Sequence, residues 1–117
     1  MSSPLLVTVP DAELAGELED WGPREGADSG TPVMSGRIFH DADGFQVGIW
    51  ECTPGGWHIQ NRPDSETVRI LRGRARLTDD GGTGVELTPG DVLVLPKGWS
   101  GRWDILETVR KFYVTAR

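Results

Sequence analysis

Two stretches constrain this chain more than any others: Glu66-Thr-Val-Arg-Ile-Leu-Arg-Gly73 and, sixteen residues on, Gly90-Asp-Val-Leu-Val-Leu-Pro-Lys-Gly98. Each is a short run rich in β-branched and aliphatic residues, bounded by glycine, the signature of a strand entering or leaving a tight turn. The same pattern extends in both directions. It predicts strands over Val33–His40, Phe45–Cys52, Trp57–Arg62, Thr67–Leu71, Ala75–Thr78, Gly84–Leu87, Val92–Leu95 and Arg102–Val114, the last divided in two. Turn signals separate them at Asp41-Ala-Asp-Gly44, Pro54-Gly-Gly56, Asp79-Asp-Gly-Gly82 and Pro89-Gly90. Strands this short and evenly spaced, with no long helix between them, exclude parallel crossover units and predict an all-β sandwich or barrel.

Ahead of the strands lies a different segment. Residues 1–35 carry seven acids against one base, Arg24, a difference equal to the whole net charge of −6; the rest of the chain is balanced. We therefore expect an acidic extension over residues 1–32 and one barrel domain over residues 33–117, with Asp11 capping a short helix that runs to Asp20. The glycine- and proline-rich stretch from Trp21 to Pro32 reads as a loop, pinned to the body by Trp21. Arg69, Arg72, Arg74 and Arg76 would either guard outward strand faces or receive the acidic segment.

Composition narrows the function classes. No basic stretch is long enough to track a phosphate backbone, so nucleic acid is not an expected partner. No apolar run reaches the ~18 residues of a membrane span, and no basic leader precedes an apolar core, so a cytoplasmic protein without membrane contact is expected. The lone Cys52 cannot form an internal disulfide and reads as a small core residue.

These residues resemble the cupin superfamily. Glu66 and Gly73 have the spacing that closes the family's first motif, and Gly90, Pro96 and Gly98 that of the second. The run from Pro89 to Tyr113, together with Trp50-Glu-Cys-Thr-Pro-Gly-Gly-Trp57, is similar to the small single-domain cupins related to (S)-ureidoglycine aminohydrolase and to the ethanolamine-utilisation cupin. The resemblance covers roughly residues 33–115. It implies a double-stranded β-helix, a jelly-roll-like barrel around a central pocket, assembling as a homodimer. It also implies a metal held by histidines, and here this chain departs from the pattern. The equivalent positions are Gln60, Arg62 and Gly101, and only Glu66 remains. With two histidines in all, His40 and His58, a three-histidine site is impossible.

Strand parity, in which alternate residues share a face, then proposes a pocket lined by His58, Gln60, Arg62, Glu66, Trp99 and Trp103, with Gly101 leaving room for a ligand. Glu66 and His58 are the catalytic candidates, Glu66 as a base or acceptor, with a structural pair to Arg62 as the alternative. Gln60, Arg62, Trp99, Trp103, Lys111 and Tyr113 are ligand-binding candidates: the Arg62 fork suits a carboxylate or phosphate, unless the strand shifts by one residue and points it outward. Trp50 and Trp57 would serve either core packing or a stacking wall. Lys111 and Tyr113 would lie at the pocket mouth or on the surface, with Phe112 and Val114 in the core. The function these residues suggest is binding of a small anionic metabolite, with no metal or other cofactor. The alternatives are an aminohydrolase, lyase or isomerase using Glu66 and His58, with or without a weakly bound divalent metal, and a non-catalytic accessory protein.

Overall fold

The computed structural model describes residues 4–117. After a single 3-10 turn over Asp11–Ala15 come nine strands: β1 (Glu19–Pro23), β2 (Ala27–Gly30), β3 (Val33–Ala42), β4 (Phe45–Cys52), β5 (Gly55–Ile59), β6 (Ser65–Asp79), β7 (Gly84–Leu87), β8 (Val92–Leu95) and β9 (Gly101–Ala116). All pairings are antiparallel, in one curled sheet.

The sixteen-residue β9 is its spine. On one side its C-terminal half pairs with β4 and its N-terminal half with β5. On the other it pairs with β6 along nearly its whole length. One layer runs β1-β3-β4, the C-terminal half of β9, the N-terminal half of β6 and β8; the other runs β2-β5, the N-terminal half of β9, the C-terminal half of β6 and β7. The expected all-β barrel is present, and its core gathers Trp50, Trp57, Val68, Ile70, Leu77, Leu95, Trp103, Ile105 and Val109. Cys52 is fully buried among them, where burial pushes its thiol up to about 11.

Several strand expectations need correction. β6 is one strand rather than two, because Gly73 is not a turn. It sits at φ +88° opposite Thr108, so close that a Cβ there would run into the Thr108 carbonyl. The register slips on either side of it, so Gly73 is a bulge that curls two long strands together. β9 is likewise unbroken. The expected helix from Asp11 shrinks to the 3-10 turn; Pro10 precedes it, Asp11 makes no cap, and Gly16 is already extended.

Glu19 and Asp20, expected at the end of that helix, and the stretch from Trp21 to Gly30, expected as loop, supply β1 and β2. Their glycines Gly22, Gly26 and Gly30 all have positive φ, and Pro23 closes β1. Edge strands tolerate both residue types because one of their faces needs no ladder. The acidic segment is docked by arginines other than the Arg69–Arg76 set. Arg37 pairs with Glu13, Arg102 grips Asp28 with two bonds of 2.7 and 2.8 Å, and Arg110 donates to the Leu14 and Gly16 carbonyls at 3.1 and 3.0 Å.

Candidate functional site

At the open end of the barrel a cavity of about 320 Å³ is bounded by strand side chains from both layers. At its floor Lys111 and Glu66 are buried, 6 % and 5 % exposed. Parity carries Lys111 inward. From Trp103 through Ile105, Val109, Lys111 and Tyr113, the odd-numbered residues of β9 face the barrel, apart from exposed Glu107 beside the bulge. Phe112 and Val114 therefore face outward, which reverses the expected arrangement. The signal was already in the sequence: Trp103, Ile105 and Val109 set the phase that Lys111 and Tyr113 continue.

A buried ammonium must find partners inside the protein. Lys111 Nζ donates to Glu66 Oε2 at 2.9 Å and lies 4.4 Å from the Trp50 ring centroid and 4.7 Å from that of Trp103. Aromatic faces attract a cation, by about 2 kcal/mol or more where water is excluded. The rings support one another: Trp57 stacks on Trp103 at 6.4 Å, and Trp50 meets both edge-on. The other Glu66 oxygen lies 3.3 Å from Arg62, whose guanidinium also donates to Asp64 Oδ1 at 2.7 Å.

Tyr113 completes the floor. Its hydroxyl donates to Gln46 Oε1 at 2.7 Å. Burial, with the nearby Glu66 and Asp41 carboxylates, pushes the phenol up to about 12. Gly48, opposite Tyr113 on β4, makes room for the ring, since a Cβ there would lie 2.8 Å from the hydroxyl.

Arg62, Glu66, Trp103, Lys111 and Tyr113 are thus brought together, with Trp50 and Trp57. His58, Gln60 and Trp99 are not. On β5 it is Trp57 and Ile59 that face the cavity, so His58 and Gln60 point away and are exposed. His58 Nε2 lies 2.8 Å from Asp80. Parity extrapolated backward from Arg62 fails because Asn61 turns the chain at φ +52° between them, shifting the phase by one residue. Trp99 folds over Gly101, its indole donating to Asp79 Oδ1 at 2.6 Å. The space left by the missing Gly101 side chain is filled by that ring rather than by a ligand. Sequence reasoning missed Gln46, which parity on β4 could have supplied, and Trp21 and Arg24, which no local pattern reveals.

The donor set does not fit a divalent metal. Both Glu66 oxygens face cations of the chain itself. Among the described residues no three His, Cys, Asp or Glu side chains gather to hold one.

Residues 39–113, well over half of the chain, match the model of the EutQ-like cupin domain. The chain belongs to that cupin family. A search of curated proteins gave no match. Solved structures agree with the cupin barrel. A protein of unknown function from Pseudomonas syringae superposes with a TM-score of 0.81 at 21 % identity over 88 % of this cupin, which spans only 46 % of that chain. A putative ethanolamine utilization protein Q from Salmonella typhimurium gives 0.66 at 21 % identity, covering 81 % of this chain and 76 % of its own. A DUF861 family protein from Thermotoga maritima is 35 % identical over 56 % of this chain and 73 % of its own, with a TM-score of 0.53. No helix among the described residues is long and apolar enough to cross a membrane.

Proposed function

We propose that this cupin binds a small anionic metabolite in the barrel cavity and does so without a metal. The observation that carries this reading is the charge of the lining. Arg24, Arg62 and Lys111 face the cavity against a single lining carboxylate, Glu66. An excess of positive charge in a concave site with low-dielectric walls concentrates anions. The volume of about 320 Å³ stands at the lower end of the range for ligand sites, roughly 300–1,000 Å³, so the ligand is small. The tryptophans supply an apolar wall for its non-ionic part.

A thermal-shift screen of acetate, malonate and benzoate against their amides tests the reading. Carboxylates should raise the melting temperature and the isosteric amides should not. Saturation at 100 times Kd stabilises by about 2.7 kcal/mol, well within detection. Equal behaviour of acids and amides would remove the basis for an anion site.

A second reading is favoured by the Glu66–Lys111 contact, a buried acid–base pair that opens onto the cavity. Such a pair can pass a proton to or from a bound molecule, as a C–N hydrolysis of the aminohydrolase kind requires. In this reading Lys111 takes the part expected of His58. Ammonia released from ureido compounds by the protein, and lost in Glu66→Gln, would support it; no release from the unaltered protein counts against it.

A further inference from the structure

The mouth of the cavity is crossed by a segment outside the residues that match the family model, which begin at residue 39. β1 lies on β3 at the edge of one layer, and β2 lies on β5 at the edge of the other. The turn over residues 24–26 therefore carries the chain from one edge to the other, as a strap. It is firmly held. The Trp21 ring packs onto Gly36, where any side chain would collide with it. The Arg24 amide donates to the Pro32 carbonyl at 2.9 Å, and the fully buried Pro32 packs against Gly55. Asp28 is gripped by Arg102.

The strap delivers two side chains to the cavity, Trp21 and Arg24. The Arg24 guanidinium lies over the Trp57 ring, 5.0 Å from its centroid. Its one side-chain hydrogen bond goes to the neighbouring Glu25 carbonyl. The three cations of the cavity therefore differ. Arg62 is engaged by Asp64 and Glu66, and Lys111 by Glu66. Arg24 alone of the three has no carboxylate partner among the described residues. It is also the single base of residues 1–35, and it is half-buried where it lines the cavity.

We propose that Arg24 is the anion anchor of this cavity and that its ligand carries a carboxylate, paired with the two-pronged guanidinium while Trp57 holds the guanidinium plane in place. Arg62, the residue expected from sequence to grip the ligand, instead holds Glu66 and Asp64 in position. The inference rests on the cavity being the ligand site, and it makes the strap, rather than the barrel strands, the element that sets anion selectivity.

The test uses benzoate as probe, titrated calorimetrically into the full chain and into Arg24→Gln and Arg24→Lys. Loss of a charge-assisted pair should weaken benzoate by about tenfold or more in Arg24→Gln, with Arg24→Lys between the two and melting temperatures unchanged. Iodide quenching of tryptophan fluorescence, referred to quenching by neutral acrylamide, reads the same anion attraction without any ligand and should fall in Arg24→Gln. If the unaltered protein binds benzoate and Arg24→Gln binds it within about twofold, the anchor is overturned while the cavity reading survives. If neither binds benzoate and iodide quenching is also unchanged, both are overturned. If neither binds benzoate but iodide quenching falls, Arg24 remains the anion-attracting group and the carboxylate assignment fails.

Discussion

Lys111 and Arg24 face the same cavity, and the fold treats them differently. Lys111 lies on the central spine strand, buried, with a carboxylate and two indole faces arranged around its ammonium. Arg24 lies in a turn at the rim, partly exposed, stacked on one ring and free of any carboxylate among the described residues. A charge taken fully out of water must be satisfied by the protein at once, because an unpaired one costs several kcal/mol. A charge at the rim is satisfied by solvent until something displaces that solvent. The deep cation is thus committed to structure and can act on a ligand only together with Glu66, whereas the rim cation keeps its binding capacity in reserve.

The largest effects should come from breaking the deep cluster. Glu66→Leu leaves the buried Lys111 ammonium without a carboxylate and should cost about 3–5 kcal/mol in urea unfolding; Lys111→Met, which leaves Glu66 paired to Arg62, should cost less. The double variant should recover much of the Glu66→Leu loss. A Glu66→Leu cost under about 1 kcal/mol would mean that water reaches the pair and that the contrast with Arg24 is false.

Next comes the seat of the strap. Gly36→Ala places a methyl where the Trp21 ring now lies and should cost about 1–3 kcal/mol through overpacking. Amide exchange should then quicken in residues 19–30 while the β6 and β9 core stays protected. Uniform loss of protection would show that strap and barrel unfold as one unit.

A smaller effect is pH-dependent. The hydrogen bond from Arg102 holds the Asp28 carboxyl below its ordinary range. A carboxylate with a depressed folded-state value adds stability that is complete above the unfolded value of about 3.9 and is lost as pH falls through the lower folded value. The strap should therefore stay attached down to about pH 4 and loosen below it. Asp28→Asn should loosen it at neutral pH and abolish the acid step, as followed by amide exchange in residues 27–30. The same acid step in Asp28→Asn would assign it to another group.

The least perturbing measurement reads the floor directly. Tyr113 is the only tyrosine, so absorbance near 295 nm reports it alone, with an expected midpoint of about 12 in the folded protein and about 10 when unfolded. Because the folded value is raised, the stability tied to the protonated phenol is complete below pH ~10 and disappears as pH rises towards the folded value. A midpoint near the unfolded one would mean that the floor is wet.

Much of this architecture was legible in the chain. β4, β7 and β8 fall where alternation and turn residues put them, because their ends are fixed by local glycine, proline and aspartate chemistry. Glu66 and Arg62 were found as cavity residues because motif spacing places them there. The misplacement of His58 and Gln60 has a single physical cause. Facing in a strand alternates with period two, so one residue in a left-handed conformation inverts every assignment beyond it. Asn61 did this to His58 and Gln60. On β9 the phase was readable, but the assumption that Phe112 must be interior and Lys111 exterior overrode it. Hydrophobicity ranks residues by type, whereas this cavity buries a lysine by giving it Glu66 and two tryptophans.

By itself the sequence determined most of the strands from residue 33 on, the barrel class marked by its two glycine-punctuated motifs, and the loss of the histidine set, since each of these is written in neighbours or in simple counts. Tertiary structure alone decided what stands in the cavity: that Lys111 and Arg62 occupy both oxygens of Glu66, that Trp99 fills the space at Gly101, and that a glycine- and proline-rich segment carries Arg24 across the mouth. These contacts join residues up to 45 positions apart, as Glu66 and Lys111 are. Such pairings follow from how the sheet curls and where its edges meet, which no local pattern encodes.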